Sequence, residues 1–199
     1  MSGVEDALRR FGRRMLLTVG RGRVTAANDA GNVQSLQIRL GANEVRDKTP
    51  RLVEFGLASM PPIGTDVVLL FVGGDRSDGV VIATGDQATR FKNMSSGEAA
   101  LYDALGKYVH LSKDGIVVEA KDQPVTVNNA TTVTVNASSD VTVNAGGNAA
   151  VVAKGSVEIN GDAGVSINTK GSANATIGGS LTATASGNIT ISAPSIALN

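Results

Sequence analysis

The chain contains no cysteine and no tryptophan, a single histidine, and no excess of charge of either sign. Its 199 residues include 18 basic and 18 acidic side chains, so the formal net charge is zero. Without cysteine there is no disulfide framework and no thiolate chemistry. A balanced charge gives no whole-chain attraction to nucleic acid or to an anionic membrane. The longest apolar run, residues 67–72, is too short to cross a membrane, and no signal-peptide pattern follows the N-terminal charges.

Aromatic residues are also scarce, and their distribution is uneven. All six lie before residue 109. Residues 123–199 carry five charged side chains and consist largely of alanine, glycine, serine, threonine, valine and asparagine. A segment without bulky side chains cannot fill a conventional globular core. The sequence therefore predicts two parts with different architectures.

Residues 1–16 have the pattern of a short amphipathic helix. Val4, Leu8, Phe11 and Met15 recur at helical spacing, and arginines flank this apolar stripe. Two interpretations fit: a helix that docks on a partner or on its own domain, and a basic arm that binds nucleic acid or membrane. The docking helix is favoured, because the segment contains a single short stripe.

Residues 17–92 are predicted to form an N-terminal OB-fold barrel. Five short runs have strand character, and clusters rich in glycine, proline, asparagine and aspartate separate them. The predicted strands are residues 17–26, 33–40, 51–57, 67–72 and 79–84. This number of strands in so short a segment favours a closed or nearly closed Greek-key barrel. Oligonucleotide binding is not expected, because it needs exposed aromatic platforms and a basic groove.

Two segments carry residues with catalytic potential, and each has a simpler explanation. In residues 73–79 two aspartates flank Arg76, but no phosphate-binding motif follows, and three glycines with two aspartates are typical of a hairpin turn. His110 lies in a predicted strand, with no second histidine or cysteine to share a metal ion. No Gly-x-Ser-x-Gly motif presents a serine nucleophile. We therefore do not expect an enzyme.

An eight-residue repeat that begins at Val125 is the strongest pattern in the sequence. Nine consecutive units each place two aliphatic residues two positions apart, without an insertion. Side chains so spaced point to the same face of a strand, so each unit is predicted to be a short strand followed by a turn. The larger aliphatic residues, predicted to form the trimer core described below, are Val125, Val127, Val133, Val135, Val141, Val143, Val157, Ile159, Val165, Ile167, Leu181, Ile189 and Ile191.

The number of chains that share these repeats decides the architecture. A single chain with three units per coil would give about three coils of ~4.8 Å, a stub open at both ends. Three chains wound together would give roughly 43 Å of continuous fibre, with exposed strand edges only at its ends. We therefore expect a C-terminal intertwined trimeric (triple-stranded) β-helix needle over residues 123–199. The register slips after Pro194, which predicts an apex over 194–199 with Ile196 and Leu198 as an apolar plug.

Five segments carry a further set of motifs: Phe55-Gly56-Leu57-Ala58-Ser59-Met60-Pro61-Pro62-Ile63-Gly64, Gly73-Gly74-Asp75-Arg76, Gly79-Val80-Val81-Ile82-Ala83-Thr84, Gly97-Glu98-Ala99-Ala100-Leu101-Tyr102-Asp103, and Leu105-Gly106-Lys107-Tyr108-Val109-His110-Leu111-Ser112-Lys113-Asp114-Gly115-Ile116. Together they resemble the Mu-type baseplate assembly protein V, the central spike family of contractile-tailed phages. The resemblance extends over essentially the whole chain. It implies an OB-fold collar, connector strands over 93–122, and a trimeric β-helical needle.

The same resemblance implies a structural virion protein that is made in the host cytoplasm and lies at the tip of the tail baseplate. As a homotrimeric central spike it would pierce the host outer membrane during infection. The implied partners are further copies of the chain, the baseplate hub and, transiently, the outer membrane; a separate tip protein and the tape-measure protein are further candidates, and nucleic acid is not. Two alternatives remain open: a passive trimeric adhesin or stalk, and a β-helical polysaccharide-degrading enzyme, which the scattered carboxylates disfavour.

Many spikes of this kind bind an apical iron ion through a His-x-His pair, and this chain departs from that pattern. Ile196-Ala197-Leu198 occupies the comparable place, and no histidine follows position 110. Because six imidazole ligands are not available, an apical iron is not expected. For calcium, which some relatives bind, Asp162 could supply one carboxylate per chain, but a turn role is favoured. No cofactor is therefore expected.

Overall fold

A computed structural model describes residues 2–196 of the chain and divides them into two units. The N-terminal unit extends to Val133 and the C-terminal unit begins at Thr134. In the described residues the regular structure comprises eight strands, one α-helix and one 3-10 turn. The prediction of an all-β protein holds in this sense. No helix in residues 2–196 has the length and apolar character needed to cross a bilayer.

The elements of the N-terminal unit fall into a helix and two antiparallel sheets. The helix α1 spans Ser2–Leu16. The first sheet contains β1 (Val19–Asn28), β2 (Ser35–Gly41), β3 (Glu44–Pro50), β4 (Asp66–Phe71) and β5 (Gly79–Gly85), with the 3-10 turn Val72–Gly74 after β4. The second sheet contains β6 (Ala99–Tyr102), β7 (Tyr108–Ser112) and β8 (Gly115–Glu119).

The first sheet has the strand order β3-β2-β1-β4-β5, and all its neighbouring strands are antiparallel. Its two outer strands approach each other at one point. There Arg51 and Val81 form a single parallel bridge, and the N–H of Leu52 donates to the carbonyl of Val81 at 3.0 Å. No continuous hydrogen-bonded ladder closes the barrel in the described residues.

The predicted strand over residues 51–57 is wrong. The third strand is β3, and residues 52–57 form a loop. β3 is an outer strand of the sheet, and most of its side chains are polar. Thr49 is its one buried residue. No aliphatic alternation therefore marks β3 in the sequence. The apolar residues that suggested a strand, among them Leu52 and Leu57, are instead exposed in the loop.

The core of the first sheet consists of alternate residues that point to one face of its strands. The buried apolar residues are Val24, Leu36, Ile38, Val67, Leu69, Phe71 and Val81. β1 approaches β2 closely at Gly22, where a Cβ atom would lie 2.6 Å from the carbonyl oxygen of Arg39 and 2.6 Å from Cγ2 of Ile38. The packing of β1 therefore requires glycine at this position.

Replacing Gly22 with alanine is expected to destabilise the N-terminal unit by about 1–3 kcal/mol, because the added methyl group overpacks the contact between β1 and β2. Gly41→Ala is the matched control, since Gly41 lies in β2 with no atom within 4 Å of a built Cβ. Urea unfolding of the full chain, followed by near-UV circular dichroism of the aromatic residues, should show a lower midpoint for Gly22→Ala alone. Equal midpoints for the two variants would contradict this packing.

The C-terminal repeats form extended segments separated by regular bends. Bends occur at 138–139, 146–147, 154–155, 162–163, 170–171, 178–179 and 186–187, so they recur every eight residues. Each bend lies between one aliphatic pair and the next. Between residues 123 and 196 no segment is hydrogen-bonded into a strand or a helix. The eight-residue period of the sequence is thus also the period of the backbone.

Candidate interaction surfaces

The aliphatic pairs of the repeats are exposed to solvent in the isolated chain. The side chains predicted to form the trimer core, from Val125 to Ile191, retain between 56% and 82% of their exposure. The buried core cluster contains only residues of the first sheet. A single chain therefore does not bring the predicted core residues together.

The backbone of the repeats is equally open. Within residues 134–196 one backbone hydrogen bond forms, from the N–H of Gly164 to the carbonyl of Gly161 at 3.1 Å. Side-chain hydrogen bonds in this segment are local, such as Asn160 to Glu158 at 2.9 Å. A β-helix built by one chain would pair its strands from coil to coil. The extended segments instead present unpaired N–H and C=O groups along their edges, which buried backbone does not tolerate without partners.

The predicted apex lies at the edge of the described residues. Ile196 is the last of them, and its side chain is exposed. Leu198 lies outside the described residues, so the apolar plug stays a prediction. Asp162 lies in a bend beside Gly161. In the part of the chain that the structure describes, no three histidine, aspartate or glutamate side chains are close enough to hold a metal ion.

Residues 73–79, whose aspartates and arginine have catalytic potential, form the turn that connects β4 to β5. Asp75 accepts hydrogen bonds from the backbone N–H and the hydroxyl of Ser77 at 2.8 Å and 2.7 Å. Arg76 lies over the ring of Phe71, 4.2 Å from its centroid, and Nη2 of Arg76 lies 2.6 Å from Oε1 of Glu44. This contact with Arg76, supported by Arg46, lowers the pKa of Glu44 below its ordinary value of 4.5. The arrangement ties the turn to β3.

His110 lies among aromatic rings and contacts one carboxylate. Its ring is 4.9 Å from that of Phe91, and Nε2 lies 3.3 Å from Oε2 of Glu98. Glu98 also accepts the backbone N–H groups of Ser95 at 2.8 Å and Lys113 at 3.2 Å. These two hydrogen bonds, with a smaller contribution from His110, lower the pKa of Glu98 below 4.5. The carboxylate thereby joins the segment before β6 to the turn between β7 and β8.

Glu98→Gln is expected to lower the melting temperature of the full chain near neutral pH. Because the folded state lowers the pKa of Glu98, the ionised carboxylate stabilises the fold above its unfolded pKa of about 4.5. This contribution is lost as the pH falls through the folded pKa. Thermal unfolding should therefore show a difference from the parent chain at neutral pH that shrinks as the pH falls below 4.5 and through the lowered pKa of the folded state. Glu54→Gln, in the exposed loop after β3, is the control; a pH-independent difference for Glu98→Gln would contradict the assignment.

The loop between β3 and β4 forms a second apolar surface, beside a cavity of about 710 Å³. Arg51 anchors this loop by donating to Gln34 Oε1 at 2.7 Å, to Ser59 Oγ at 2.9 Å and to Thr84 Oγ1 at 3.2 Å. Burial lowers the pKa of Arg51. Phe55, at the tip of the loop, is fully exposed. The apolar residues of 51–57 predict a strand rather than a loop, so this surface is not apparent from the sequence.

The fold and the surfaces define a class of protein: an antiparallel β unit followed by extended repeats whose aliphatic pairs are exposed and whose backbone edges are unpaired. Comparison with known proteins makes the assignment specific. Residues 21–88, which contain most of the first sheet, match the family model described as Bacteriophage Mu Gp45, N-terminal. This match and two curated relatives confirm the resemblance of the chain to the Mu-type baseplate spike family.

Two relatives are similar over more than half of the chain. The baseplate puncturing device gp45 of Escherichia phage Mu is 31% identical over 121 residues, which are 60% of this chain and 61% of the Mu protein. The Mu-like prophage FluMu protein gp45 of Haemophilus influenzae is 31% identical over 115 residues, which are 58% of this chain and 63% of that protein. The matches therefore span about three-fifths of the length of these relatives.

Proposed function

We propose that this chain is a structural protein of a phage tail baseplate, a homotrimeric central spike that pierces the host outer membrane. The observation that carries the proposal is the repeat over residues 125–191. There, pairs of exposed aliphatic side chains and unpaired backbone N–H and C=O groups recur between bends spaced eight residues apart. The name of the Mu relative, a baseplate puncturing device, supports the same role.

Three chains satisfy the physical requirements of the repeats. Each extended segment can hydrogen-bond to segments of neighbouring chains above and below it, so that strand edges remain open only at the ends of the needle. The aliphatic pairs then point to a shared axis, and full burial of each valine or isoleucine contributes about 1.5–3 kcal/mol. The small inward residues Ala173 and Ala175 fit a narrow axis. No metal ion or cofactor is part of this proposal.

The needle accounts for the mechanical task. Sheath contraction supplies the force, and many cross-chain hydrogen bonds must break together before the needle unfolds. Because residues 123–199 carry only five charged side chains, moving the needle through an apolar membrane costs less free energy than it would for a highly charged segment. The alternative, a polysaccharide-degrading enzyme, predicts a different result with purified substrates. It would release products from lipopolysaccharide or peptidoglycan, whereas a spike would release none.

We infer further that residues 17–92 form an OB-type collar that attaches the spike to the baseplate hub. The strand order of the first sheet and the single bridge between Arg51 and Val81 support a nearly closed five-stranded barrel whose open seam lies between β3 and β5. The exposed loop around Phe55 offers an apolar contact for the hub. Residues 93–122, with the second sheet, are proposed to connect this collar to the needle.

The location of the chain in the particle tests the proposed function directly. Gold-labelled antibodies raised against the chain should bind at the baseplate end of the tail in particles that carry it. The same antibodies should reach the needle once contraction has exposed it. Labelling confined to side fibres would favour an adhesin and would contradict a central spike.

Substituting both apex residues with serine separates piercing from attachment. Particles with Ile196→Ser and Leu198→Ser are expected to adsorb to host cells at the parent rate, while genome release is delayed by about tenfold, because a polar apex enters the apolar membrane less favourably. Adsorption and release are measured on the same cells. Loss of saturable adsorption, with normal release from the adsorbed particles, would instead identify the apex as a receptor-binding surface.

A further inference from the structure

The helix α1 presents an apolar stripe that its own unit does not bury. The side chains of Val4, Leu8, Phe11 and Met15 are each between 63% and 69% exposed. The contact of the helix with the rest of the unit lies at its C-terminal end, beside the 3-10 turn after β4. A docking helix could pack on its own domain or on a partner. Because its own domain leaves the stripe exposed, the stripe is available to a partner.

The direction of α1 is fixed by the first sheet. A Cβ atom at Gly74 would lie 2.5 Å from the carbonyl oxygen of Arg14, so the last turn of the helix packs directly on the 3-10 turn. The hydroxyl of Thr18 donates to the same carbonyl at 3.0 Å, and β1 begins at the next residue. Identical copies of the unit would therefore present their helices in identical orientations.

The stripe has the spacing of a coiled-coil seam. Steps of four, three and four residues separate Val4, Leu8, Phe11 and Met15. These steps assign them to heptad positions d, a, d and a, the positions that pack between helices of a coiled coil. A helix that docks on a globular core usually has a wider apolar face, extended by further apolar residues beside the seam.

The residues beside and opposite the seam fit the same heptad. Arg9, Arg10 and Arg13 occupy the outer positions b, c and f, where they remain in solvent. Ala7 and Gly12 occupy positions g and e. In parallel helices g of one helix faces e of the next heptad in its neighbour, so two small residues meet there and no like charges do.

We propose that α1 of each copy packs against α1 of the other two copies, forming a short parallel three-helix coiled coil in the assembled spike. This inference rests on the trimer proposed above. Two heptads are too short to associate stably alone. Trimerisation through the repeats overcomes this weakness. Chains joined through their needles hold their α1 helices at an effective concentration of about 1 mM, so that two heptads can associate.

Disulfide cross-linking tests the coiled coil, and the absence of native cysteine makes each introduced thiol unique. The full chain with Leu8→Cys, at a seam position, is oxidised under mild conditions and compared with Arg13→Cys, on the outer face of the same helix. Leu8→Cys is expected to give a disulfide-linked pair of chains on a non-reducing gel about tenfold faster, since only the seam brings two Cβ atoms within disulfide range. Met15→Cys repeats the test at the next a position.

Light scattering of the unoxidised variants separates the possible failures. A mass of three chains together with equal cross-linking of Leu8→Cys, Met15→Cys and Arg13→Cys would overturn the coiled coil and leave the trimeric spike intact. A mass of one chain would overturn the trimer and, with it, the coiled coil. Faster cross-linking at both seam positions in a trimer is the result that supports the proposal.

Discussion

Replacing Val143 with aspartate is expected to abolish assembly of the chain into trimers. The side chain of Val143 is 81% exposed in the isolated chain, so the substitution creates no conflict in a monomer. In the proposed needle, however, three carboxylates would meet near one axis. Each loses its hydration at a cost of several kcal/mol, and the three repel one another. Light scattering should therefore report single chains of 20.2 kDa for this variant.

Asn144→Asp is the matched control for this prediction. It adds the same charge one residue further along, and successive side chains of an extended segment point to opposite faces. The new carboxylate therefore faces solvent, and the mass of the assembly should not change. Trimers of both variants, or single chains of both, would show that Val143 does not face a shared core.

The second large effect is expected in amide hydrogen exchange of the repeats. In the single chain, Gly164 is the one backbone donor with a backbone acceptor within residues 134–196, so most amides there should exchange at nearly the rate of an unfolded peptide. In a trimer, neighbouring chains accept these hydrogen bonds. Exchange in the extended segments should then slow by about a thousandfold or more.

The pattern of protection is as informative as its size. Protection should be strongest at the aliphatic pairs and weakest at the bends, and it should therefore repeat every eight residues. The Val143→Asp variant supplies the unassembled reference. Uniformly fast exchange in the parent chain would contradict cross-chain pairing, and protection that persists in Val143→Asp would indicate pairing within one chain.

The fold could be predicted from the sequence wherever burial leaves a periodic pattern. The apolar alternation of β2 and β4 marks strands that each bury one face, and the aliphatic pairs of the repeats mark the eight-residue period that the bends follow. β3 has no such mark, because it is an outer strand with charged side chains such as Arg46. The neighbouring loop carries exposed leucines, and their apolar pattern wrongly predicts a strand there.

The interaction surfaces were only partly predictable for a related reason. The repeats encode which residues are apolar, but a single chain does not determine which molecule covers Val125 or Ile191. The role of Arg51 depends on contacts with Gln34 and Thr84, which come from distant parts of the sequence. The contact between Glu98 and His110 likewise forms only when the second sheet is folded. Such long-range contacts leave no local pattern.

The mass of the full chain in solution tests the central claim most directly. Light scattering coupled to size-exclusion chromatography, at several protein concentrations, should give three times the chain mass of 20.2 kDa. The value should not change on dilution, because separating the chains would expose every aliphatic pair of the needle at once. A mass of 20.2 kDa at all concentrations would contradict the account.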